Sequence, residues 1–258
     1  MTQSICSFGF IPVRSEPAES ACLETQILFG ETFEVLERQP RWCRIRCHYD
    51  NYEGWVDDKL VGHFEEQEID KWRESKDVIV GRPFVSIVRE EDGTSQLLSA
   101  GSRVVLNRDD PGTFTLGNET FTLRDNLSAP NNSIVELGRG FMNAPYLWGG
   151  RSFYGIDCSG FVQVVYKVAG IFLPRDASQQ INFGESLNLV EEARPGDLAF
   201  FDDDEGHIVH VGICLGDGRI LHASGSVHVD KLDHQGIYHL HRHVYTHHLR
   251  LIKRIFNA

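Results

Sequence analysis

One cysteine in this chain stands between glycine-rich irregular backbone and the start of an apolar helix, and that junction limits the fold more than any other feature. Gly149, Gly150 and Gly155 precede Ile156-Asp157-Cys158-Ser159-Gly160-Phe161, and glycine permits tight backbone that other residues resist. After the cysteine, Phe161, Val162, Val164, Val165 and Val168 recur at helical spacing, which predicts a helix beginning at or near Cys158. Unpaired N–H groups and the helix dipole at such a terminus favour an anion, so the thiol is expected to ionise below its ordinary pKa of about 8.5. A buried structural cysteine is the plain alternative.

Downstream, Ile208-Val209-His210-Val211-Gly212-Ile213-Cys214-Leu215 reads as a strand, and Arg219-Ile220-Leu221-His222-Ala223-Ser224 reads as a second after the turn residues Gly216-Asp217-Gly218. A lone strand histidine is more often a satisfied core residue. Two on adjoining strands, below a helix-start cysteine, make the set a thiol nucleophile needs: a base beside the thiol and a third group to orient the base. Side chains alternate faces along a strand, so the turn decides whether the two imidazoles meet. A regular two-residue loop at Asp217-Gly218 would pair Ile213 with His222 and send the histidines to opposite faces. A three-residue loop, Gly216-Asp217-Gly218, pairs Gly212 with His222 and is the expected form, with Gly218 left-handed.

The blocks Tyr146-Leu147-Trp148-Gly149-Gly150, Asp157-Cys158-Ser159-Gly160-Phe161, Leu173-Pro174-Arg175-Asp176-Ala177-Ser178-Gln179-Gln180, Pro195-Gly196-Asp197-Leu198, His210-Val211-Gly212 and His222-Ala223-Ser224 arrive in a fixed order. In that order they resemble the NlpC family of bacterial cell-wall cysteine endopeptidases, over about the last half of the chain. The resemblance implies an α+β papain-like cysteine peptidase domain over residues 131–258, with Cys158 as nucleophile, His210 as general base and His222 as the orienting third residue. It implies cleavage beside γ-D-glutamyl in peptidoglycan stem peptides. It also implies the Tyr146 hydroxyl as an oxyanion donor beside the Cys158 amide, and Ser159, Arg175 and Ser178 around the α-carboxylate of the γ-D-glutamyl unit. Trp148 joins the substrate-contacting set, and a carboxylate at Asp157 suits a substrate ammonium. The plain readings are core aromatics for Tyr146 and Trp148 and helix caps for Asp157 and Ser159.

The earlier half is organised differently. Short alternating runs at Ile27–Phe29, Thr32–Leu36, Trp42–Cys47 and Gly54–Val56, punctuated by turn residues, read as a small β-barrel over residues 1–62. Leu97 to Leu106 echoes Ile27 to Leu36 in its order of apolar, small and polar residues, so a second copy is expected over 78–130. The charged stretch 63–77 reads as a linker, helical in places, and Ser128 to Asn132 as the boundary before a helix at 133–142. Both β segments resemble bacterial SH3-like domains, so the fold class expected is a papain-like domain preceded by two small all-β SH3-like barrels. In relatives of this layout the first domain supplies a tyrosine and an acid to the free amine of L-Ala. Tyr52 fits the tyrosine; Cys22 stands where glutamate is usual, with Glu19 and Glu24 nearby.

Composition bounds the partners. A formal charge of −12 argues against nucleic acid, whose binding is built from clustered Lys and Arg, and against anionic membrane. Neither the opening residues nor any later stretch has the apolar run of a signal or a membrane span, which predicts a cytoplasmic protein. Six cysteines in unrelated segments, with Cys43 and Cys47 on one strand face, fit reduced core thiols in that compartment. Neither Cys43-x-x-x-Cys47 nor the histidine-rich tail (His239, His241, His243, His247, His248) is read as a metal site, and a cofactor-free monomer is expected. The function expected is a cytoplasmic thiol endopeptidase of murein peptide recycling, cutting between γ-D-glutamate and a diamino acid in peptides with free L-Ala. The alternatives are an inert wall-fragment-binding module, or an amidase or acyltransferase on the same scaffold.

Overall fold

In a computed structural model, which describes residues 2–129 and 133–255, the chain separates into two compact units. The first comprises residues up to 129 together with 148–153, and the second residues 133–147 and 154–255. The boundary read at Ser128 to Asn132 lies partly outside the described residues, which omit 130–132.

The first unit begins with an antiparallel sheet in the order Thr2–Ile5, Thr32–Gln39, Trp42–Cys47, Glu53–Asp57, Phe10–Arg14, Leu23–Leu28. The two-residue period decides which side chains go inward. Cys43, Ile45 and Cys47 join Ile11, Val13, Ile27, Phe33 and Val56 in the core, while Arg44 and Arg46 face out and pair across the strands with Glu53 and Glu34 at 2.6–2.9 Å. Every cysteine is unbridged.

The rest of this unit is a second β group: the sheet Thr113–Leu116, Glu119–Leu123, Phe84–Arg89, Ser95–Ser99, and the pair Val78–Ile79 with Arg103–Val104. The echo between Ile27–Leu36 and Leu97–Leu106 has a structural counterpart. Each segment leaves its strand through a glycine with positive φ, Gly30 at 76° and Gly101 at 85°. At Gly30 the chain has no alternative, because an added Cβ would lie 1.9 Å from the Arg103 carbonyl oxygen. The expected linker at 63–77 is corrected. Glu66–Glu74 is a helix whose Ile69 and Trp72 are buried in the core shared with Val85, Leu98 and Phe121, and Trp72 Nε1 donates to the Gly30 carbonyl at 2.9 Å. Those two apolar residues, spaced by three, turn a charged stretch into a packed element.

In the second unit, helices Ile134–Arg139, Cys158–Val168 and Ala177–Gln180 precede six antiparallel strands: Leu198–Asp202, Ile208–Gly216, Arg219–Ser224, Ser226–Asp233, Gly236–His239 and Val244–Arg254. The last pairs with both the fifth and the first, which closes a barrel, and Glu185–Leu187 pairs with the end of the last strand. One strand face fills the interior with Ala199, Phe201, Cys214, Ile220, Leu232, Ile237 and Ile252. The other turns Ile213 and Leu221 toward the helices. Gly138 and Phe161 meet them so closely that a Cβ on Gly138 would lie 2.9 Å from Leu221. Among the described residues no helix is long and apolar enough to cross a membrane.

A buried ion pair fastens the first unit. Arg151, 1% exposed, donates to both carboxylate oxygens of Glu31 at 2.9 and 3.0 Å and to the Gln26 carbonyl at 2.6 Å, and Glu31 also accepts the Leu28 amide at 2.8 Å. Removing one partner strands the other charge out of water, a cost of about 3–5 kcal/mol, whereas removing both is often near neutral. Glu31→Ala is therefore expected to lose about 3–5 kcal/mol in urea unfolding, and Glu31→Leu with Arg151→Met to recover most of it. A single-variant loss below about 1 kcal/mol would show that the pair does not fasten this unit.

Candidate active site

Asp157 ends the loop and caps the helix. Its Oδ1 accepts the Gly160 amide at 2.7 Å, so the helix starts at Cys158. A buried carboxylate needs a counter-charge, and Arg175 supplies it with contacts of 3.0 and 2.5 Å to the two oxygens and a third to Ser159 Oγ at 2.9 Å. Gln180 completes the clamp, donating to the carbonyls of Ser159 at 3.0 Å and Pro174 at 2.8 Å. The side chains of Asp157 and Arg175, 8% and 2% exposed, pair with each other at the helix start. Ser159 belongs to the same clamp, whereas Ser178 is exposed on the Ala177–Gln180 helix.

The thiol itself differs from the sequence expectation. Burial, followed by the Asp157 carboxylate, pushes Cys158 up to about 12, against the opposing pull of the Val211 amide and Arg175. Helix-start geometry is present, yet desolvation outweighs it. Burial, with the neighbouring imidazoles of His222, His247 and His228, holds His210 well below the usual histidine range. Thiol and imidazole thus rest neutral. Burial, then the charge of Cys158, also raises the Tyr146 hydroxyl to about 12, which ties that tyrosine electrostatically to the thiol. Trp148 is 60% exposed and is not a core residue.

His210 and His222 do share a face, by a route other than the expected loop. Gly216 pairs with Arg219, leaving a two-residue turn in which Asp217 and Gly218 have φ of 50° and 63°. A bulge between Cys214 and Gly216 then absorbs one residue, so that Cys214 pairs with Ile220 and Gly212 with His222. The imidazoles meet diagonally, His210 Nε2 to His222 Nδ1 at 2.9 Å. Gly212 lies directly across from His222, where an added Cβ would come within 2.9 Å of the His222 Cβ and 2.7 Å of Ile220. Absence of a side chain there gives the diagonal contact its room.

The next strand carries a residue that the sequence reading overlooked. Asp230, 1% exposed, faces His222 Nε2 at 3.4 Å and His228 Nε2 at 3.1 Å. Burial opposes its charge, but hydrogen bonds from His222 and the Leu240 amide win and hold its carboxyl at about 2. The signal was the alternation Val227-His228-Val229-Asp230, which sends two polar groups to the face already occupied by His222, opposite His228 in register. His247 stacks on His210 with ring centroids 4.1 Å apart, so part of the histidine-rich tail lies against that imidazole. In the first unit, the Tyr52 hydroxyl donates to Glu24 at 3.3 Å, which pairs Glu24 with the tyrosine, while Glu19 reaches Arg14 and Arg41 and Cys22 is exposed.

Residues 143–247 match the NlpC/P60 family and residues 13–59 the bacterial dipeptidyl-peptidase Sh3 domain. Gamma-D-glutamyl-L-lysine dipeptidyl-peptidase of Bacillus subtilis is 30% identical over 220 residues, covering 78% of this chain and 72% of that protein. The chain belongs to the NlpC/P60 family. Its counterpart of the same name from Bacillus cereus is 29% identical over 233 residues, covering 78% of this chain and 67% of that one. The fold is shared with an NlpC/P60 family protein from Bacillus cereus, at a TM-score of 0.84 and 23% identity over 98% of this chain and 99% of the other.

Two outcomes are expected of this NlpC/P60 site. Gly212→Ala should displace His222 and lower kcat/KM on a peptide substrate by about 100-fold while the fold persists, since misplacement near 1 Å costs about that much; unchanged kcat/KM would show that the diagonal contact is dispensable. The second concerns acid. In the folded state His210, His222 and His247 (to about 4) are lowered, so below the unfolded histidine value of about 6.5 the unfolded chain takes up protons that the native barrel refuses. Stability is full above that value and is lost as pH falls, with Asp230 adding its share between about 3.9 and 2. The melting temperature should hold level from pH 8 to 7 and drop below about 6.5, and His247→Phe should flatten the slope by up to about 1.4 kcal/mol per pH unit. A melting temperature that stays level down to pH 5 would contradict the neutral-imidazole assignment.

Proposed function

We propose that this protein is a cysteine endopeptidase that hydrolyses the bond between γ-D-glutamate and a diamino acid, lysine or diaminopimelate, in murein peptides with a free N-terminal L-Ala. The observation that carries the reading is the ordered chain Asp230, His222, His210, together with a cysteine capped at a helix start against the His210 strand. The names of the Bacillus relatives supply the bond. With Asp230 accepting from His222 Nε2 and His222 Nδ1 accepting from His210 Nε2, the His210 proton is held on Nε2 and Nδ1 is the nitrogen left for the thiol. His210 takes the Cys158 proton as sulfur attacks the amide carbonyl. The Cys158 amide and the Tyr146 hydroxyl stabilise the oxyanion, each by about 3 kcal/mol. The protonated imidazole then gives its proton to the departing amine, and the acyl-enzyme is hydrolysed by water deprotonated by the same ring.

The finer assignments rest on the same reading. A nucleophile on a helix and a base on a barrel strand support a papain-like layout, and the matching turns at Gly30 and Gly101 support a second SH3-like barrel in the first unit. The Glu24–Tyr52 pair is the group suited to a substrate ammonium. Free peptides of this kind point to murein peptide recycling in the cytoplasm. L-Ala-γ-D-Glu-L-Lys should therefore yield L-Ala-γ-D-Glu and lysine by mass spectrometry, Cys158→Ala should yield neither while keeping its circular dichroism, and N-acetylation of the tripeptide should slow cleavage by about 100-fold or more. Cleavage that survives Cys158→Ala would defeat the thiol mechanism, and equal rates with the acetylated peptide would defeat the amine requirement.

A further inference from the structure

The barrel interior at the His222 end holds more ligating groups than a base and its orienting partners require. His222 Nε2 and His228 Nε2 converge on a single oxygen of Asp230, at 3.4 and 3.1 Å, and the three ligand atoms lie within 4.8 Å of one another. Tetrahedral zinc with bonds of about 2.0–2.2 Å places its ligand atoms about 3.3–3.6 Å apart; the 3.4 Å contact has that spacing, the 3.1 Å contact is just short of it, and the third pair lies within 4.8 Å. His228 is held for the purpose: its Nδ1 bonds the Ser226 carbonyl at 2.8 Å, which fixes that hydrogen and turns Nε2 toward the carboxylate.

We propose that His222, His228 and Asp230 bind a divalent transition-metal ion of the zinc class, and that occupation switches the peptidase off. Binding follows from the three ligands alone; inhibition rests on the proposed role of His210 as base. A metal on His222 Nε2 moves that ring's hydrogen to Nδ1, which then donates to His210 Nε2. The His210 hydrogen is thereby transferred to Nδ1, the nitrogen required by the thiol, and the base has no lone pair to offer. Nothing is oxidised or reduced, each ring keeps one hydrogen, and both hydrogens return to Nε2 when the ion leaves.

Binding is measured on the full chain carrying Cys158→Ala, which excludes capture of zinc by the thiol. Titration calorimetry with zinc alone should give one ion per chain, weakened at least 30-fold by adding His228→Gln or His228→Ala, with melting temperatures confirming that each variant is folded. Adding His241→Ala and His243→Ala to the Cys158→Ala chain should leave binding unchanged. Cobalt in the chain with Cys158 intact should show tetrahedral visible bands without a thiolate charge-transfer band. In the active enzyme, zinc should inhibit reversibly to EDTA, and His228→Gln, compared with its own uninhibited rate, should need at least 30-fold more zinc. Binding that persists without His228, is lost with Cys158 or moves with His241 and His243 would overturn the site. If no peptidase activity is found, calorimetry still decides the site, because it does not read turnover.

Discussion

Asp230 is the charge on which the arrangement in the second unit turns. It is a carboxylate inside a barrel, held ionised by hydrogen bonds from His222 and the Leu240 amide against the cost of its own burial. It faces His222 Nε2, and His222 Nδ1 in turn meets His210 Nε2, so one buried charge anchors a chain of two imidazoles. The order of the two imidazoles therefore follows from one negative charge placed two strands away from His210. The helix start obeys the same logic in reverse, where Arg175 neutralises the cap so that no net charge is left unpaired beside the thiol.

Much of this was legible in the residues. An aspartate followed by an apolar helical period marked the Cys158 helix, and apolar, β-branched runs marked Ile208–Gly216 and Arg219–Ser224, because these elements bury apolar side chains whose spacing can be counted. Ser226–Asp233 and Gly236–His239 were passed over because the barrel interior at that end is polar, and a strand whose inward residues are His228 and Asp230 has no apolar alternation on the face that matters. The charged stretch around Glu66–Glu74 hid Ile69 and Trp72 in the same way. Two further differences arise from quantities that only the folded chain possesses. Whether Cys158 is desolvated depends on what packs over it, and the register of Gly212 with His222 depends on a bulge that no local turn signal announces.

The bulge also explains how a tight type of hairpin is compatible with two histidines on one face. A two-residue turn whose central residues both have positive φ matches the twist of the strands it joins, and the parity it imposes is corrected by the extra residue at Leu215 rather than by a looser loop. The barrel keeps a stiff corner near its site. Gly212 then removes the one side chain that would stand between the rings.

Closure of the six-strand ring has a consequence for how the chain can change in length. Each strand is bonded on both sides, so a residue gained or lost within any of them shifts the pairing of two neighbours, and the shift has no free edge at which to end. Insertions and deletions are thus confined to the corners, such as the exposed Asp203–Gly206 and Leu240–His243 turns. Divergent members of the fold should differ in the size of these corners more than in the length of the strands between them.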